Sequence, residues 1–274
     1  MSYRRRNEGY GAAGLGGVYR RMPAGAPSAW TPASIDGLAL WLDASDESTI
    51  TLSSGAVSQW NDKSGNARHA TQGTSDDRPV VQVAAINGRN ALRFDGTNDF
   101  LAINDGRNLF RNAAAATVYA VAKTTTPSSS LMRIFHASVG DNNSNNRVAL
   151  VAVSGAMTFR VRRLDGDSES SLSGGVIASD TAQIFRGHVD YANRPGALFV
   201  NGDSVASNAT LVSEGSTSNT DSHTIQIARS PGFDGSQYWS GDIAEILALP
   251  RLLTSAESET VDTYLATKWG VTLA

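Results

Sequence analysis

Paired carboxylates are the first residues to consider, because hydrolysis of a glycosidic bond requires two carboxyl groups that flank the bond. Asp242 and Glu245 are three residues apart in a segment with β-strand character, so simple strand alternation places them on opposite faces of a sheet. Glu257 and Glu259 fall within a predicted helix. This spacing predicts that the chain has no glycoside hydrolase site and is not an enzyme.

Other residues that could do chemistry are also dispersed along the chain. No Gly-x-Ser-x-Gly or His-Glu-x-x-His pattern occurs, so we expect no catalytic residue. Arg160, Arg162 and Arg163 form either a basic patch for an anionic glycan or phosphate, or an ordinary solvated strand face. The remaining candidates are predicted to be structural or surface imidazoles: His69, His136, His188 and His223.

Oxygen-rich turns make Ca²⁺ a possible cofactor, and we expect no other. Calcium takes six to eight oxygen ligands from carboxylates, amides and backbone carbonyls. Asp95, Asn98 and Asp99 offer three side-chain oxygen donors within one tight turn, and residues 141–146 form a second Asp/Asn-rich loop. The alternative is that Asp and Asn occur at these places because turns favour them.

Aromatic side chains are the usual platforms on which sugars stack, because they combine an apolar face with polar edges. Tyr238 and Trp239 follow a Gly/Asp-rich turn, so they are the candidate glycan-binding pair, with core packing as the alternative. Trp41 and Trp60 lie among apolar residues and are predicted to belong to the core. Trp269 is predicted to pack a helix.

Short strands separated by tight turns must position these residues. From Ile35 onward, Asn-Gly and Asp-Gly pairs recur and supply the positive φ angles that hairpins require. Many short strands with frequent turns indicate an all-β sandwich or barrel. The predicted strands are Leu38–Leu42, Ala91–Phe94, Thr117–Ala122, Met132–His136, Val148–Val153, Met157–Arg163, Ala197–Val200, Thr224–Ala228 and Ile243–Leu249.

One segment near the C-terminus has helical character instead. Thr254 and Glu257 have the spacing of a capping box, and Gly270 stands where a C-terminal cap glycine belongs. Apolar residues between them recur on one helical face. The sequence predicts a single amphipathic helix over residues 255–269 that packs on the sandwich through Val261, Tyr264, Leu265 and Trp269.

The N-terminal residues differ in charge and composition from the rest. Residues 1–22 carry a charge of +4, whereas the whole chain of 274 residues has a charge of −3. Glycine and proline are frequent, so this segment buries too little apolar surface to offset its ordering entropy alone. We predict a flexible arm and linker over 1–34 and one folded domain over 35–274. The assembly residues of the arm are expected to be Arg4, Arg5, Arg6, Arg20 and Arg21.

Composition also excludes several classes of site and partner. The chain has no cysteine, so it has no disulfide and no cysteine-based metal or redox site. The acidic body argues against nucleic-acid binding, and no apolar run reaches the length of a membrane span. Met1 is followed by arginines rather than by an apolar segment, so we expect no signal peptide.

Six stretches have a distinctive order and spacing: Gly37–Ser45, Val57–Gln72, Arg78–Pro79, Asn87–Leu101, Gly241–Ile246 and Leu253–Gly270. Together they resemble the concanavalin A-like lectin/glucanase superfamily in its laminin-G-like branch, and they are similar to domains found in bacterial surface proteins and in virion proteins of tailed phages. The resemblance implies an antiparallel jelly-roll sandwich. It also implies a possible calcium site, because members of the laminin-G-like branch often bind Ca²⁺ at the rim of the sandwich.

The resemblance and the basic arm lead to a functional expectation. We expect a non-enzymatic structural or decoration protein of a phage particle, assembled in the host cytoplasm, whose arm anchors it to other virion proteins while the sandwich faces outward. It is expected to form a homo-oligomer and to have affinity for cell-surface glycans. The alternative is a carbohydrate-binding attachment module of a tail fibre or bacterial surface protein, with a glycoside hydrolase as the third choice.

Overall fold

The computed structural model describes residues 30–104, 109–127, 131–140, 143–164, 166–213, 215, 225–230 and 237–274. For residues 138–140 and 143–146 it describes the backbone alone. The predicted arm arginines, residues 4–6, 20 and 21, lie outside the described residues, as do residues 141 and 142 of the predicted Asp/Asn-rich loop, whereas residues 143–146 of that loop belong to a strand. Thr31–Ala274 form one compact unit. Within the described ranges, no helix is both long and apolar enough to cross a bilayer.

Seventeen strands and one α-helix make up the described fold, with three short 3-10 turns at Pro32–Ser34, Glu47–Thr49 and Ser75–Asp77. The strands are β1 (Leu40–Asp43), β2 (Ile50–Ser53), β3 (Ala56–Trp60), β4 (Ala70–Thr71), β5 (Val80–Ile86), β6 (Arg89–Asp95), β7 (Leu101–Ile103), β8 (Ala115–Lys123), β9 (Met132–Gly140), β10 (Asn143–Val153), β11 (Ala156–Val161), β12 (Ser170–Val176), β13 (Gln183–Asp190), β14 (Gly196–Val200), β15 (Asp203–Asn208), β16 (Ile225–Ile227) and β17 (Ser240–Leu249). The helix α1 is Ser255–Trp269.

These strands form two antiparallel sheets packed face to face. The smaller sheet has eight strands in the order β15-β14-β13-β8-β17-β6-β5, with β1 paired to β17. The larger sheet has nine strands in the order β12-β11-β10-β9-β16-β7-β4-β3-β2. The predicted all-β sandwich is therefore confirmed, and each of the nine predicted strands overlaps an observed one.

Alternating apolar residues of both sheets fill the space between them. On β8, which lies at the centre of the smaller sheet, the core residues alternate along the strand and are Ala116, Val118, Ala120 and Ala122. Trp60 is a core residue, as predicted. Trp41 is buried as well, but Leu40 and Leu42 on either side of it supply the core contacts of β1.

Tight turns join several adjacent strands with the backbone that their sequences predict. Asn87-Gly88 connects β5 to β6 with φ angles of 48° and 70°, and Asn201-Gly202 connects β14 to β15 with 52° and 86°. Positive φ at both central residues is the signature of a type I′ hairpin turn. Two Ser-Gly pairs also have positive φ at both residues, although serine is a weaker turn signal than asparagine or aspartate: Ser54-Gly55 and Ser154-Gly155.

The predicted helix is confirmed at both ends. The Thr254 hydroxyl accepts from the backbone N–H of Glu257, and the Glu257 carboxylate accepts from the backbone N–H of Thr254, which completes the capping box. Gly270 ends the helix with a left-handed φ of 67°. The apolar side of α1 packs on the outer face of the smaller sheet, where Trp269 is buried.

Candidate functional site

The outer face of the larger sheet, turned away from the core, carries a cluster of polar residues that begins on β9. Ile134 and Phe135 both belong to the core, because a β-bulge interrupts the pairing of β9 with β10 between Phe135 and Arg133. The extra residue brings Arg133 and His136 to the same outer face, although they are three positions apart. Strict alternation would have separated them.

The same face continues in register across four neighbouring strands. Gln226 of β16 is opposite His136, His136 is opposite Ala149 of β10, and Ala149 is opposite Arg160 of β11. Each residue lies between core residues of its own strand, so all four side chains point outward. We call the polar set on this surface the basic face: Arg133, His136, Arg160, Gln226 and Gln237.

Hydrogen-bonding capacity on the basic face is only partly used within the described part of the chain. Arg133 Nε donates to Gln237 Oε1 at 2.7 Å. Neither ring nitrogen of His136 has a hydrogen-bond partner there, although this side chain is 0% exposed. The buried Oε1 of Gln226 and Nε of Arg160 also have none. Buried polar atoms in this condition are costly, and the described residues include others elsewhere, for example on Trp60 and Asp262.

Burial and neighbouring charges shift the pKa values of two residues of the basic face. Burial, together with the charge of Arg160, lowers the pKa of Arg133 to about 10. The pKa of His136 falls well below its usual 6.5, because burial and the two neighbouring guanidinium groups disfavour the imidazolium. His136 is therefore neutral near neutral pH, with one ring nitrogen as donor and the other as acceptor.

The predicted arginine patch is divided between two places. Arg160 is on β11, but the strand ends at Val161, before the predicted limit of Arg163. Arg163 donates through Nε to Ser213 Oγ at 3.0 Å, and this serine donates in turn to Asp167. Arg162 is buried, and its backbone N–H donates to the carbonyl of Arg147. Only Arg160 of the three arginines thus belongs to the basic face as defined.

The predicted aromatic pair Tyr238 and Trp239 is also divided. Trp239 is 0% exposed and packs within the hydrophobic core, so it offers no ring face to a sugar; that prediction is wrong, and the core alternative applies. Tyr238 is half-buried and adjoins Gln237 of the basic face. The guanidinium of Arg229 lies 5.7 Å from the centre of the Tyr238 ring and 4.3 Å from that of Phe100.

The Asp95–Asp99 turn uses one oxygen of each of its two aspartates internally. Asp95 Oδ1 accepts from the backbone N–H groups of Thr97, Asn98 and Asp99, and Asp99 Oδ2 accepts from the N–H of Asp95. Asn98 donates its amide to Asp77 Oδ1 at 3.0 Å. Burial and the charges of Asp95 and Asp77 raise the pKa of Asp99 to about 6.

A cation would relieve this crowding of carboxylates. However, no group of three or more His, Cys, Asp or Glu side chains within the described ranges has an arrangement suited to hold a metal ion. The residues of the turn therefore do not form a ready cation cage, and calcium at Asp95, Asn98 and Asp99 stays a prediction.

Asp242 and Glu245 are placed differently from the prediction. A second bulge interrupts the pairing of β17 with β8 between Ile243 and Glu245, so both carboxylates lie on the outer face of the smaller sheet rather than on opposite faces. Asp242 accepts two bonds from Arg93, at 2.8 and 3.0 Å. Glu245 accepts from the indole N–H of Trp269. Both acids are 1% exposed, so neither faces open solvent.

Sequence reasoning missed Arg133 and His136. The segment Met132–Ala137 contains two polar residues among apolar ones, at a spacing of three. That spacing fits neither one face of a regular strand nor an exposed loop. Polar residues three apart inside a strongly apolar strand therefore indicate a bulge, which is a signal for Arg133 and His136 but not for the residues of the neighbouring strands.

Comparison with known proteins places these features in a family. A family model described as the concanavalin A-like lectin/glucanases superfamily, Laminin_G_3, matches residues 95–257. This range contains every residue of the basic face. No curated protein matches the chain.

Solved structures share the fold at low sequence identity. The sialidase of Trypanosoma rangeli in complex with sialic acid has a TM-score of 0.61 and 15% identity, over 86% of this chain and 34% of that one. The same sialidase with 2,3-difluoro-KDN has a TM-score of 0.59 and 16% identity, over 92% and 36%. The chain thus spans about a third of the length of these sialidase structures. The CBM40 of a Ruminococcus gnavus IT-sialidase, bound to alpha2,3 sialyllactose, has a TM-score of 0.46 and 18% identity, over 55% and 83%.

Proposed function

This chain belongs to the concanavalin A-like lectin/glucanase superfamily, and we propose on that premise that it is a non-enzymatic carbohydrate-binding protein. One fold hosts many functions, so the proposal depends on a site rather than on the family alone. The site is the basic face of the larger sheet, with Tyr238 at its border.

The observation that carries this proposal is the pair of buried, unpartnered polar groups on His136 and Gln226. These residues are opposite each other on β9 and β16. A neutral imidazole offers one donor and one acceptor, and the Gln226 Oε1 offers another acceptor. A sugar with neighbouring hydroxyls can both donate and accept, and because His136 is 0% exposed it would meet this face through the half-buried side chains of Arg160 and Tyr238.

For the pair Asp242 and Glu245, the proposed absence of enzymatic activity is supported by the partners of the two carboxylates. A glycosidase requires one carboxyl group that holds a proton and another beside the scissile bond. Asp242 is paired with Arg93, and Glu245 is covered by helix α1, so both have structural partners. Neither is on the face that carries the basic residues.

A glycan array probed with the full chain tests the proposal. We expect saturable binding to a subset of glycans, and weaker binding by Gln226→Met, which keeps the side-chain size but removes the amide. Gln82→Met is the matched control, because Gln82 is a half-buried residue on β5 of the other sheet. Binding to no glycan by a folded chain would overturn the proposal, as would an equal effect of the two variants.

A second proposal concerns the setting in which such a protein acts. We propose that it is a structural or decoration protein of a tailed-phage particle, where residues 1–34 anchor the chain to its neighbours. The five arginines among the first 22 residues support this idea, because segments of this composition commonly become ordered on assembly. An attachment module of a tail fibre or bacterial surface protein is the alternative setting.

Deletion of residues 1–30 tests the anchoring role. We expect the shortened chain to fold and to be missing from purified particles, as measured by mass spectrometry of the particles. Normal incorporation of the shortened chain would contradict the proposal. Replacing the five arginines by glutamine is the companion variant, because it keeps the length of the segment.

A further inference from the structure

We infer that Lys268 forms an internal amide bond with Asp43, in a reaction that the carboxylate of Glu245 promotes. The product joins strand β1 to the end of helix α1 through their side chains. This inference goes beyond the proposed function, because it concerns a covalent modification of the folded chain itself. It follows from the placement of the three groups, from their burial, and from a second lysine that contacts Asp43.

The three groups meet at one nitrogen atom. Lys268 Nζ lies 2.7 Å from Asp43 Oδ1 and 2.8 Å from Glu245 Oε2. Asp43 and Glu245 are directly opposite each other on the paired strands β1 and β17, so the register places the two carboxylates side by side. A carboxyl C–O bond is about 1.23 Å long, so Nζ is at most about 3.9 Å from the carbon of the Asp43 carboxylate. Reacting atoms in a productive arrangement lie about 3–3.5 Å apart, so at most a small shift brings the nitrogen and the carbon together.

These groups are shielded from water. The side chain of Glu245 is 0% exposed, that of Asp43 is 5% exposed and that of Lys268 is 11% exposed. Trp41 and Trp269 cover Glu245 and donate their indole N–H groups to it. Groups that a fold holds together in this way can react with effective concentrations of about 10⁵–10⁸ M. Exclusion of water also protects the amide bond from hydrolysis.

Burial makes Glu245 an acceptor for a proton of Lys268. It raises the pKa of Glu245 above the ordinary 4.5, although the charge of Lys268 acts in the opposite direction. A carboxylate whose pKa is raised takes a proton from a neighbouring ammonium more readily. Glu245 therefore accepts one proton from Lys268 and leaves the neutral amine that the attack on Asp43 requires.

A second lysine supports the attack on Asp43. Lys63 Nζ lies 2.9 Å from Oδ2, and the Ser45 hydroxyl donates to Oδ1 at 2.7 Å. As the C–N bond forms, negative charge develops on Oδ2, where the ammonium of Lys63 stabilises it. The C–Oδ1 bond then breaks, and Oδ1 leaves as water with two protons of the Lys268 ammonium, one of them returned by Glu245. One ammonium and one carboxylate thus become one amide and one water.

The partners of Lys268 distinguish it from the other lysines. The chain has three lysines, and all of them lie in its described part. Lys63 also pairs with Asp46 at 2.8 Å, and Lys123 pairs with Asp180 at 3.2 Å. Asp46 is only half-buried, and Asp180 is exposed. Of the three, Lys268 is therefore the lysine whose acidic partners are both buried.

Mass spectrometry of the denatured full chain tests the inference. We expect the mass of the natural chain to be lower by one water. Trypsin does not cleave after an acylated lysine, so the digest should contain residues 22–63 joined to residues 252–274. An unchanged mass, after the chain has been kept folded, would overturn the inference. Loss of water without the joined peptides would also overturn it, as would a bond from Lys63, which gives a single peptide of residues 22–68.

Variants test the role of each group. Lys268→Met should keep the water, whereas Lys123→Met, the matched control, should still lose it, because Lys123 contacts Asp180 instead. Glu245→Gln should form the bond at least about a hundredfold more slowly after refolding, which is the usual contribution of a proton-transfer group. Circular dichroism verifies that each variant is folded. Loss of water in Lys268→Met would overturn the inference, and bond formation at the natural rate in Glu245→Gln would overturn the role of Glu245.

Discussion

Trp41 and Trp269 donate their indole N–H groups to the two oxygens of one buried carboxylate, that of Glu245. Trp269 Nε1 lies 2.6 Å from Oε2, and Trp41 Nε1 lies 2.7 Å from Oε1. Lys268 also donates to Oε2, at 2.8 Å, and to Asp43 Oδ1, at 2.7 Å. Strand β1, strand β17 and helix α1 are therefore joined at a single side chain.

Replacement of Glu245 by glutamine should lower the free energy of unfolding by about 3 kcal/mol. The amide leaves one buried donor without an acceptor, and it lacks the negative charge that faces the ammonium group of Lys268. Urea unfolding measures the change. Glu259→Gln is the control, since Glu259 is an exposed residue of the same helix. Equal stability of the two variants would show that Glu245 does not hold the helix on the sheet.

Gly187 on β13 should tolerate no side chain. A Cβ added there would overlap the ring of Phe159 on β11 of the opposite sheet. We expect Gly187→Ala to lower the free energy of unfolding by about 1–3 kcal/mol, the usual cost of overpacking a core. Gly73→Ala is the control, because nothing lies within 4 Å of a Cβ added at that position. Thermal unfolding of both variants compares them.

Asp99 should make stability depend on pH. Its pKa of about 6 in the folded chain is above the ordinary 3.8, so the ionised group disfavours the folded state above about pH 6 and has no effect below about pH 3.8. Asp99→Asn in EDTA should therefore raise the free energy of unfolding by about 1 kcal/mol near neutral pH, after allowance for solvent screening. The gain should vanish near the ordinary pKa of aspartate. A gain that persists in acid would contradict this origin.

Calcium should stabilise the same turn if the predicted site at Asp95, Asn98 and Asp99 is real. Binding to the folded state alone raises the melting temperature in proportion to the logarithm of the free ion concentration. We expect a higher melting temperature in millimolar CaCl₂ than in EDTA for the natural chain, and no difference for Asp99→Asn. Equal melting temperatures of the natural chain in both solutions would exclude a calcium site there.

Local sequence signals were sufficient for the helix and for several hairpins. The capping box of Thr254 and Glu257 and the Asn-Gly turns depend on residues that are neighbours in the chain, so their geometry can be predicted without a partner element. The resemblance to the family predicted that the strands form two packed sheets. Strands such as β4 and β12 were missed, because two residues or a Ser/Gly-rich stretch carry no apolar pattern.

The site could not be predicted in the same way, because two bulges alter the alternation of side chains. Arg133 and His136 share a face only because of the bulge in β9, and Asp242 and Glu245 share one only because of the bulge in β17. A bulge depends on how two strands pair: β9 pairs with the next strand along the chain, whereas β17 pairs with β8, which is distant in sequence. Trp239 was misassigned for a related reason, since its burial depends on both sheets.

Strand β17 has a consequence for biosynthesis. It lies in the middle of the smaller sheet, between β8 and β6, and also pairs with β1, yet it is the last strand along the chain. On the ribosome, three earlier strands must wait for Ser240–Leu249 to emerge before their open edges are paired. Unpaired edges associate readily with other chains. The yield of folded protein should therefore depend on translation speed and on chaperones that shield the nascent sheet.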